Sequence, residues 1–271
     1  MYNNKIVLAF TNLNNVMRKI LFMLMAGVHF IACNPKTNTR KSSDLVQQNL
    51  HGDVQQLEET SYVLDSSGNK KIDSSVRIIV FDKAGYATRY MNKNASGKIT
   101  FDEAAIHYNN GAIKEFLNKV DGKQISKMSI EIDNDGNYAS VKTYDSSNKQ
   151  DSYYTDIREN DYGIVYGAKQ HSMNGKIQSG FDLKYDKANL IGGSYTDSLG
   201  IESYSFVNKL NSKGDPVEQT SITYENGSPK NETVTYKYQS YDEQGNWTFC
   251  TTYSDKGRAT KIVKRDFIFY K

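Results

Sequence analysis

Tyr241-Asp242-Glu243-Gln244-Gly245 decides the fold of this chain, because its pattern returns along most of the sequence. The pattern is an aromatic or apolar residue, then Asp, Asn or Ser, two variable residues and Gly. It recurs as Phe81-Asp82-Lys83-Ala84-Gly85, Ile132-Asp133-Asn134-Asp135-Gly136, Leu210-Asn211-Ser212-Lys213-Gly214 and Tyr253-Ser254-Asp255-Lys256-Gly257. The polar side chain accepts hydrogen bonds from the backbone just ahead, and Gly adopts the left-handed conformation that closes a short loop. The repeat therefore predicts a series of β-hairpins.

Polar and apolar residues alternate between these turns. In Thr233-Val234-Thr235-Tyr236-Lys237-Tyr238, Val234, Tyr236 and Tyr238 share one face, as in a half-buried strand. Asn148 and Asn189 stand where a turn glycine is expected, since Asn also tolerates positive φ. We predict an all-β protein, an antiparallel meander of repeated hairpins with about fifteen strands. A sheet of that size twists, so the expected form is a curled open sheet or partial barrel.

The N-terminus carries the features of a secretory signal. Met17-Arg18-Lys19 precedes an apolar run from Ile20 to Ile31. Residues 1–32 are therefore predicted to be a signal peptide, for which Met17 is a better start than Met1. Phe30-Ile31-Ala32-Cys33 resembles a bacterial lipobox, which implies a lipid anchor on Cys33; the alternative is an uncleaved anchor helix. Residues 33–49 are polar after the cysteine and predict a flexible tether, followed by a repeat domain over residues 50–271.

Charge and cysteine usage exclude several classes of protein. The net charge of +3 comes from Lys5, Arg18 and Lys19, the only charged residues before Cys33, so the mature chain is neutral overall. A neutral chain with interspersed charges lacks the basic surface that nucleic-acid binding needs. With Cys33 lipidated, Cys250 has no partner for a disulfide, and its alternating surroundings predict a buried, inert thiol.

No local motif for catalysis or metal binding stands out. His51, His107 and His171 lie far apart in sequence, and none has a second ligand at metal-site spacing. The turn at Asp133 has clustered oxygens, but a calcium loop needs a bidentate Glu that does not follow. Asp102 and Glu103 are adjacent, so on a strand they point to opposite faces. We therefore predict no catalytic residues, no metal and no cofactor.

The chain resembles a known family through three stretches. These are Leu50-His51-Gly52-Asp53-Val54, the repeated Tyr-Asp turns, and Gly245-Asn246-Trp247-Thr248 with the C-terminal strand. Together they resemble the YD-repeat (RHS-like) lipoproteins of Bacteroidetes over residues 50–271. The resemblance implies a cell-envelope protein of mostly uncharacterised role and carries over no catalytic residue. Between Asp151 and Gly200 the turns are irregular and depart from the family's pattern.

Tyrosine is the residue type that points most directly to binding. An aromatic binding face is predicted from the tyrosines at alternate strand positions: Tyr195, Tyr204, Tyr224, Tyr236, Tyr238, Tyr241 and Tyr253. The competing interpretation is that these rings fill the core of a thin sheet.

The leading functional hypothesis is a non-catalytic envelope lipoprotein that presents an extended β surface to a protein or glycan. The alternative is a periplasmic carrier that encloses an apolar ligand such as a lipid inside its curled sheet, and a third is an envelope-polymer hydrolase. The expected partners are a membrane, through the anchor at Cys33, and an unknown protein or glycan. Residues 34–38 lack the acidic cluster associated with surface export, which favours the periplasmic side of the outer membrane.

Overall fold

The computed structural model describes residues 42–70, 75–108, 111–134, 136–225 and 228–271. The described residues contain one short helix and sixteen strands: α1 (Asp44–Gln47), β1 (Val54–Val63), β2 (Ser75–Phe81), β3 (Ala87–Lys93), β4 (Ile99–His107), β5 (Ile113–Val120), β6 (Lys123–Ile132), β7 (Tyr138–Asp145), β8 (Gln150–Glu159), β9 (Val165–Ser172), β10 (Ile177–Asp186), β11 (Asn189–Thr196), β12 (Glu202–Leu210), β13 (Pro216–Glu225), β14 (Ser228–Tyr241), β15 (Trp247–Ser254) and β16 (Ala259–Phe269). Each strand pairs antiparallel with its neighbours in sequence, which confirms the predicted all-β meander. Cys33 and the predicted signal peptide lie outside the described residues.

The sheet closes on itself, and this corrects the expected open sheet or partial barrel. Strand β1 pairs with β16 from Val54 opposite Phe269 to Val63 opposite Lys261. The sixteen strands therefore form one closed barrel. Closure is favourable because it removes the two unpaired strand edges that an open sheet leaves exposed.

The turns follow the mechanism that the repeat predicts. In the β2–β3 turn, Asp82 Oδ1 accepts hydrogen bonds from the backbone N–H groups of Ala84 and Tyr86, both at 2.9 Å. Gly85 adopts a φ of 83° there, and Asn148 takes the equivalent place with a φ of 60°. The prediction for Asn189 is wrong, because Lys187 carries the positive φ of 56° in that tighter turn and Asn189 begins β11.

The segment 42–53, called the strap below, crosses the end of the barrel at which β1 begins. Asp44 Oδ2 accepts a 2.7 Å hydrogen bond from Ala87 N at the β2–β3 turn. Asn49 Nδ2 donates to Asp215 Oδ1 at 2.8 Å in the β12–β13 turn. His51 N donates to Asn246 Oδ1 at 2.7 Å in the β14–β15 turn. The strap thus ties together hairpins from different sides of the ring, and we call this end the closed end.

The strap also corrects the predicted domain boundary. The sequence predicts a flexible tether over residues 33–49, with the folded part beginning near Leu50. The structure instead gives residues 42–49 the helix α1, and Asp44 is only 1% exposed. Polar composition is misleading here, because these side chains are held by hydrogen bonds to turns that are distant in sequence.

The hydrophobic core fills the closed-end part of the barrel between β1 and β9. Leu57 and Ile79 are fully buried and lie directly opposite each other on β1 and β2. Phe81, Phe116 and Ile130 extend the same cluster along the wall. At the other end, which we call the mouth, the turn residues 95–97, 146–149 and 198–200 are exposed. The apolar core therefore lies toward the end that the strap crosses.

Candidate ligand-binding site at the barrel mouth

The strand register shows which side chains face the barrel interior. Residues that lie directly opposite each other on paired strands point to the same face of the sheet, and consecutive residues along a strand point to opposite faces. Leu57 is fully buried, so it marks the inner face, and the register carries this assignment from strand to strand. Tyr195 and Tyr204 are directly opposite each other, and Tyr195 is also opposite Phe181, which packs against the core. Four of the seven predicted tyrosines face inward by this reasoning: Tyr195, Tyr204, Tyr236 and Tyr238.

The other three predicted tyrosines do not join this group. Tyr224 follows Thr223, which lies opposite Tyr204, so Tyr224 faces outward. Tyr253 faces outward for the same reason, because its neighbour Thr252 is opposite Tyr236. Tyr241 is the last residue of β14, at the closed end, with Lys213 Nζ 3.7 Å from its ring centroid. The seven tyrosines thus occupy three separate surfaces.

Tyr195, Tyr204 and Tyr236 form what we call the tyrosine wall, on β11, β12 and β14. The rings of Tyr195 and Tyr204 are 5.9 Å apart, and Tyr204 stacks on Phe206 at 5.8 Å. All three tyrosines are half-buried, and burial raises the pKa of Tyr236 to about 12. Their hydroxyl groups are therefore protonated at neutral pH. The wall offers flat apolar ring faces together with hydrogen-bond donors, at the mouth half of the barrel.

A row of small polar side chains continues from this wall around the inner face of β5 to β10. We call it the polar arc, and it consists of Asn118, Ser126, Thr143, Ser152, Gln170 and Ser179. Gln170 Nε2 donates to Ser152 Oγ at 2.9 Å, and Ser179 Oγ donates to Gln170 Oε1 at 3.3 Å. Asn118 Nδ2 donates to Ser126 Oγ at 3.2 Å. The interior is thus apolar near the strap and polar near the mouth.

Glu103 is the titratable group that borders this arc. It lies on the inner face of β4, directly opposite Asn118, and is 4% exposed. Burial raises the pKa of Glu103 to about 7, although a hydrogen bond from Asn118 opposes the shift. Asn118 Oδ1 is buried and accepts no hydrogen bond. When it is protonated, the Glu103 carboxyl supplies a hydrogen-bond donor beside Asn118 Oδ1, an acceptor that otherwise has no donor.

The raised pKa predicts a pH-dependent stability. Between about pH 4.5 and 7 the unfolded chain has released the Glu103 proton and the folded chain retains it, so the free energy of unfolding falls by about 3 kcal/mol as pH rises. We expect Glu103→Gln to remove this loss and to be more stable than the wild type at about pH 8 but not at about pH 4. Urea unfolding at both pH values measures the difference. Glu58→Gln is the control, because Glu58 lies on the outer face of the barrel, on β1. An equal gain in stability at about pH 8 in this variant would contradict the assignment of the pH dependence to Glu103.

Three of the seven predicted tyrosines form the wall, whereas the polar arc has no signal in the sequence. Asn118, Thr143 and Ser152 each have one charged and one apolar or aromatic neighbour in sequence, so no period-two contrast distinguishes the inner face there. Asp102 and Glu103 do point to opposite faces as predicted, since Asp102 pairs with Arg89 outside at 2.8 Å. Cys250 is buried as predicted, at 3% exposure, and burial raises its thiol pKa to about 11. Among the described residues, no three His, Cys, Asp or Glu side chains group to hold a metal ion.

Comparison with known proteins supports the barrel fold. No protein-family model matches the sequence, and no curated protein matches it either. A porin-like protein from Bacteroides uniformis ATCC 8492 is 14% identical with a TM-score of 0.53, over 80% of this chain and 98% of that chain. A porin-like protein from Bacteroides vulgatus ATCC 8482 is 10% identical with a TM-score of 0.38, over 79% and 98%. The Photorhabdus luminescens Tc holotoxin pore is 11% identical with a TM-score of 0.28, over 76% and 14%.

The first of these neighbours shares the fold of this chain, at an identity that shows fold alone. The resemblance to YD-repeat lipoproteins therefore stays a prediction. In the ranges that the structure describes, no helix has the length and apolar character needed to cross a membrane.

Proposed function

We propose that this protein is a non-catalytic, lipid-anchored binding protein of the cell envelope that takes a glycan at the mouth of its barrel. The observation that carries the proposal is the tyrosine wall beside the polar arc on the inner face of the mouth. Aromatic faces suit the C–H surface of a sugar ring, and hydroxyl and amide groups satisfy its hydroxyls. The residues that would contact the glycan are Tyr195, Tyr204, Tyr236 and the members of the polar arc nearest them.

The outer face of the barrel supports a position in water beside the membrane. It carries the ion pairs Arg89–Asp102, Lys142–Glu131, Lys209–Glu218, Arg158–Asp182 and Lys169–Asp156. A charged Lys or Arg facing lipid at the membrane midplane costs about 2–4 kcal/mol, so such a surface favours solvent on all sides. This fits a barrel held by an anchor at Cys33 on the periplasmic side of the outer membrane, as the sequence predicts.

The alternative carrier hypothesis is less well supported by the interior. An apolar ligand needs a dry cavity, yet the apolar half of the interior is filled by its own side chains, including Leu57, Ile79 and Phe81. The part nearer the mouth is lined by Glu103 and the polar arc, whose desolvation against a lipid chain would be costly. A hydroxyl-rich ligand avoids that cost because it supplies hydrogen bonds in return.

Native mass spectrometry of the full chain, purified from its own host in detergent, tests the ligand class. We expect a retained mass that glycosidase treatment removes. A retained mass extractable into organic solvent would contradict the proposal and favour the lipid carrier.

A tyrosine substitution tests the location of the site. We expect Tyr204→Ala to weaken binding of the retained glycan about tenfold, since it removes one stacking ring near the middle of the wall. Isothermal titration calorimetry on the full chain in detergent measures the affinity. Tyr253→Ala, which removes an outward-facing ring, is the matched control and should bind as the wild type does. Equal losses in the two variants would contradict a site inside the mouth.

A further inference from the structure

A groove on the outer face of the barrel crosses β8 to β11 and is separate from the mouth. Its volume is about 520 Å³, and Asp156, Arg158, Lys169, Gly180, Asp182 and Thr196 line it. The groove lies within residues 151–200, where the repeated turns of the sequence become irregular.

A β-bulge in β8 shapes one wall of the groove. Thr155 lies opposite Lys169 and Arg158 lies opposite Gly167, so two residues of β8 face a single residue of β9. Ile157 packs inward against the core, while Asp156 adopts a φ of 53° and its Oδ2 lies 2.7 Å from Lys169 Nζ on the outside. The bulge thus adds one extra side chain, that of Asp156, to the outer face of the sheet.

Two glycines shape the groove, Gly180 in its lining and Gly167 beneath the Arg158 side chain. The Arg158 guanidinium lies flat across Gly167, where a Cβ would collide with it, and reaches Asp182 Oδ2 at 2.9 Å. The same guanidinium lies 5.1 Å from the ring centroid of Tyr166. On the next strand, Gly180 lies directly between Lys169 and Thr196, and the Thr196 hydroxyl occupies the space where a Cβ of residue 180 would be. Polar groups, a guanidinium and a hydroxyl, thus cover the two glycines where a regular strand would carry its own side chains.

The charges decide which kind of molecule fits. Arg158 and Lys169 balance Asp156 and Asp182, so the groove has no net charge and gives an ionic ligand no overall attraction. All four side chains are about half exposed, so their ion pairs rearrange at little cost. Carboxylates accept from adjacent hydroxyls, while the guanidinium, the ammonium and the Thr196 hydroxyl donate. We propose that this groove is a second binding site, for a neutral saccharide, independent of the site in the mouth.

The test is saturation-transfer NMR of the full chain in detergent with lactose, maltose, cellobiose and chitobiose at millimolar concentration. The variant for the groove is the pair Asp156→Asn with Asp182→Asn, which keeps side-chain size and removes both carboxylates. The matched control is Asp266→Asn, an exposed aspartate on β16. Tyr204→Ala, which changes only the wall in the mouth, separates the two sites.

We expect at least one of these disaccharides to bind to the groove. The double variant should weaken this binding about tenfold, whereas Asp266→Asn and Tyr204→Ala should leave it unchanged. Binding that is lost in Tyr204→Ala and retained in the double variant would overturn the groove and leave the mouth proposal standing. Absence of binding by all four disaccharides would also overturn the groove proposal. Gly180→Ala provides an independent check, because its added Cβ would lie 2.8 Å from Thr196 Oγ1, displace that hydroxyl donor and weaken the same binding.

Discussion

Arg265→Ala is expected to destabilise the protein by about 3–5 kcal/mol, the largest effect of any single charge removal that we predict. Arg265 on β16 lies directly opposite Glu59 on β1, and its Nε is 3.0 Å from Glu59 Oε2. The side chains are 10% and 16% exposed. The guanidinium also lies 3.6 Å from the Trp247 ring centroid. Removing it leaves the Glu59 carboxylate buried without its main partner.

The pair also makes the seam between β1 and β16 sensitive to acid. Burial alone would raise the pKa of Glu59, but the charges of Arg265 and Arg77 outweigh burial and hold that pKa below its usual value. The folded state therefore binds the Glu59 proton less readily than the unfolded state. The stabilisation is present above the unfolded pKa and is lost as pH falls through the folded pKa.

Urea unfolding of Arg265→Ala against Arg89→Ala measures the effect. Arg89 forms a geometrically similar pair with Asp102 on the outer face, but its side chain is 47% exposed, so its loss is expected to cost no more than about 1 kcal/mol. Equal costs for the two arginines would show that Glu59 and Arg265 are not buried together. Glu59→Gln combined with Arg265→Met is expected to recover part of the loss, because no unpaired charge remains.

Leu57→Ala is expected to destabilise the protein by about 2–5 kcal/mol. Leu57 is fully buried on the inner face of β1, opposite Ile79 on one side and Phe267 on the other. The substitution removes apolar contacts and leaves a cavity within the core at the closing strand. Because neighbouring strands on both sides hold the backbone, little collapse into that cavity is expected, which places the cost toward the upper part of the range.

Ile268→Ala is the matched control for this second prediction. Ile268 lies on the same seam, opposite Gln56, but it faces outward and is 51% exposed. Its truncation should change the free energy of unfolding by no more than about 0.5 kcal/mol. A similar cost for Leu57 and Ile268 in urea unfolding would mean that the inner and outer faces have been assigned wrongly.

The hairpins were predictable from the sequence because each is specified locally. Asp82 and Gly85 lie within five residues of each other and determine their own turn, and Asn148 replaces Gly by the same backbone logic. Closure was not predictable, since the alternation that marks β1 and β16 as strands says nothing about whether they meet. That contact depends on the twist accumulated over sixteen strands.

The candidate site was only half predictable, for a related reason. A bulge shifts the two-residue period of a strand, so the spacing of residues in sequence no longer tells which face they share. Strand β14 is irregular between Tyr238 and Tyr241, and the environments of these two tyrosines differ accordingly. The strap was missed because its polar side chains bond to turns that are far away in sequence, as Asn49 does with Asp215. Local rules thus give the elements, whereas the site depends on long-range register.

A disulfide across the β1–β16 seam tests the closed barrel most directly. Thr60 and Lys264 lie directly opposite each other there, and directly opposite antiparallel residues have the Cα separation that a disulfide requires. In a Cys250→Ser background, we expect Thr60→Cys with Lys264→Cys to crosslink nearly completely under mild oxidation, as the positive-control pair Arg89→Cys with Ala104→Cys on β3 and β4 should. If the control pair crosslinks while the two cysteines at the seam remain free thiols, β1 and β16 are separate edges of an open sheet. That result would contradict the closed barrel.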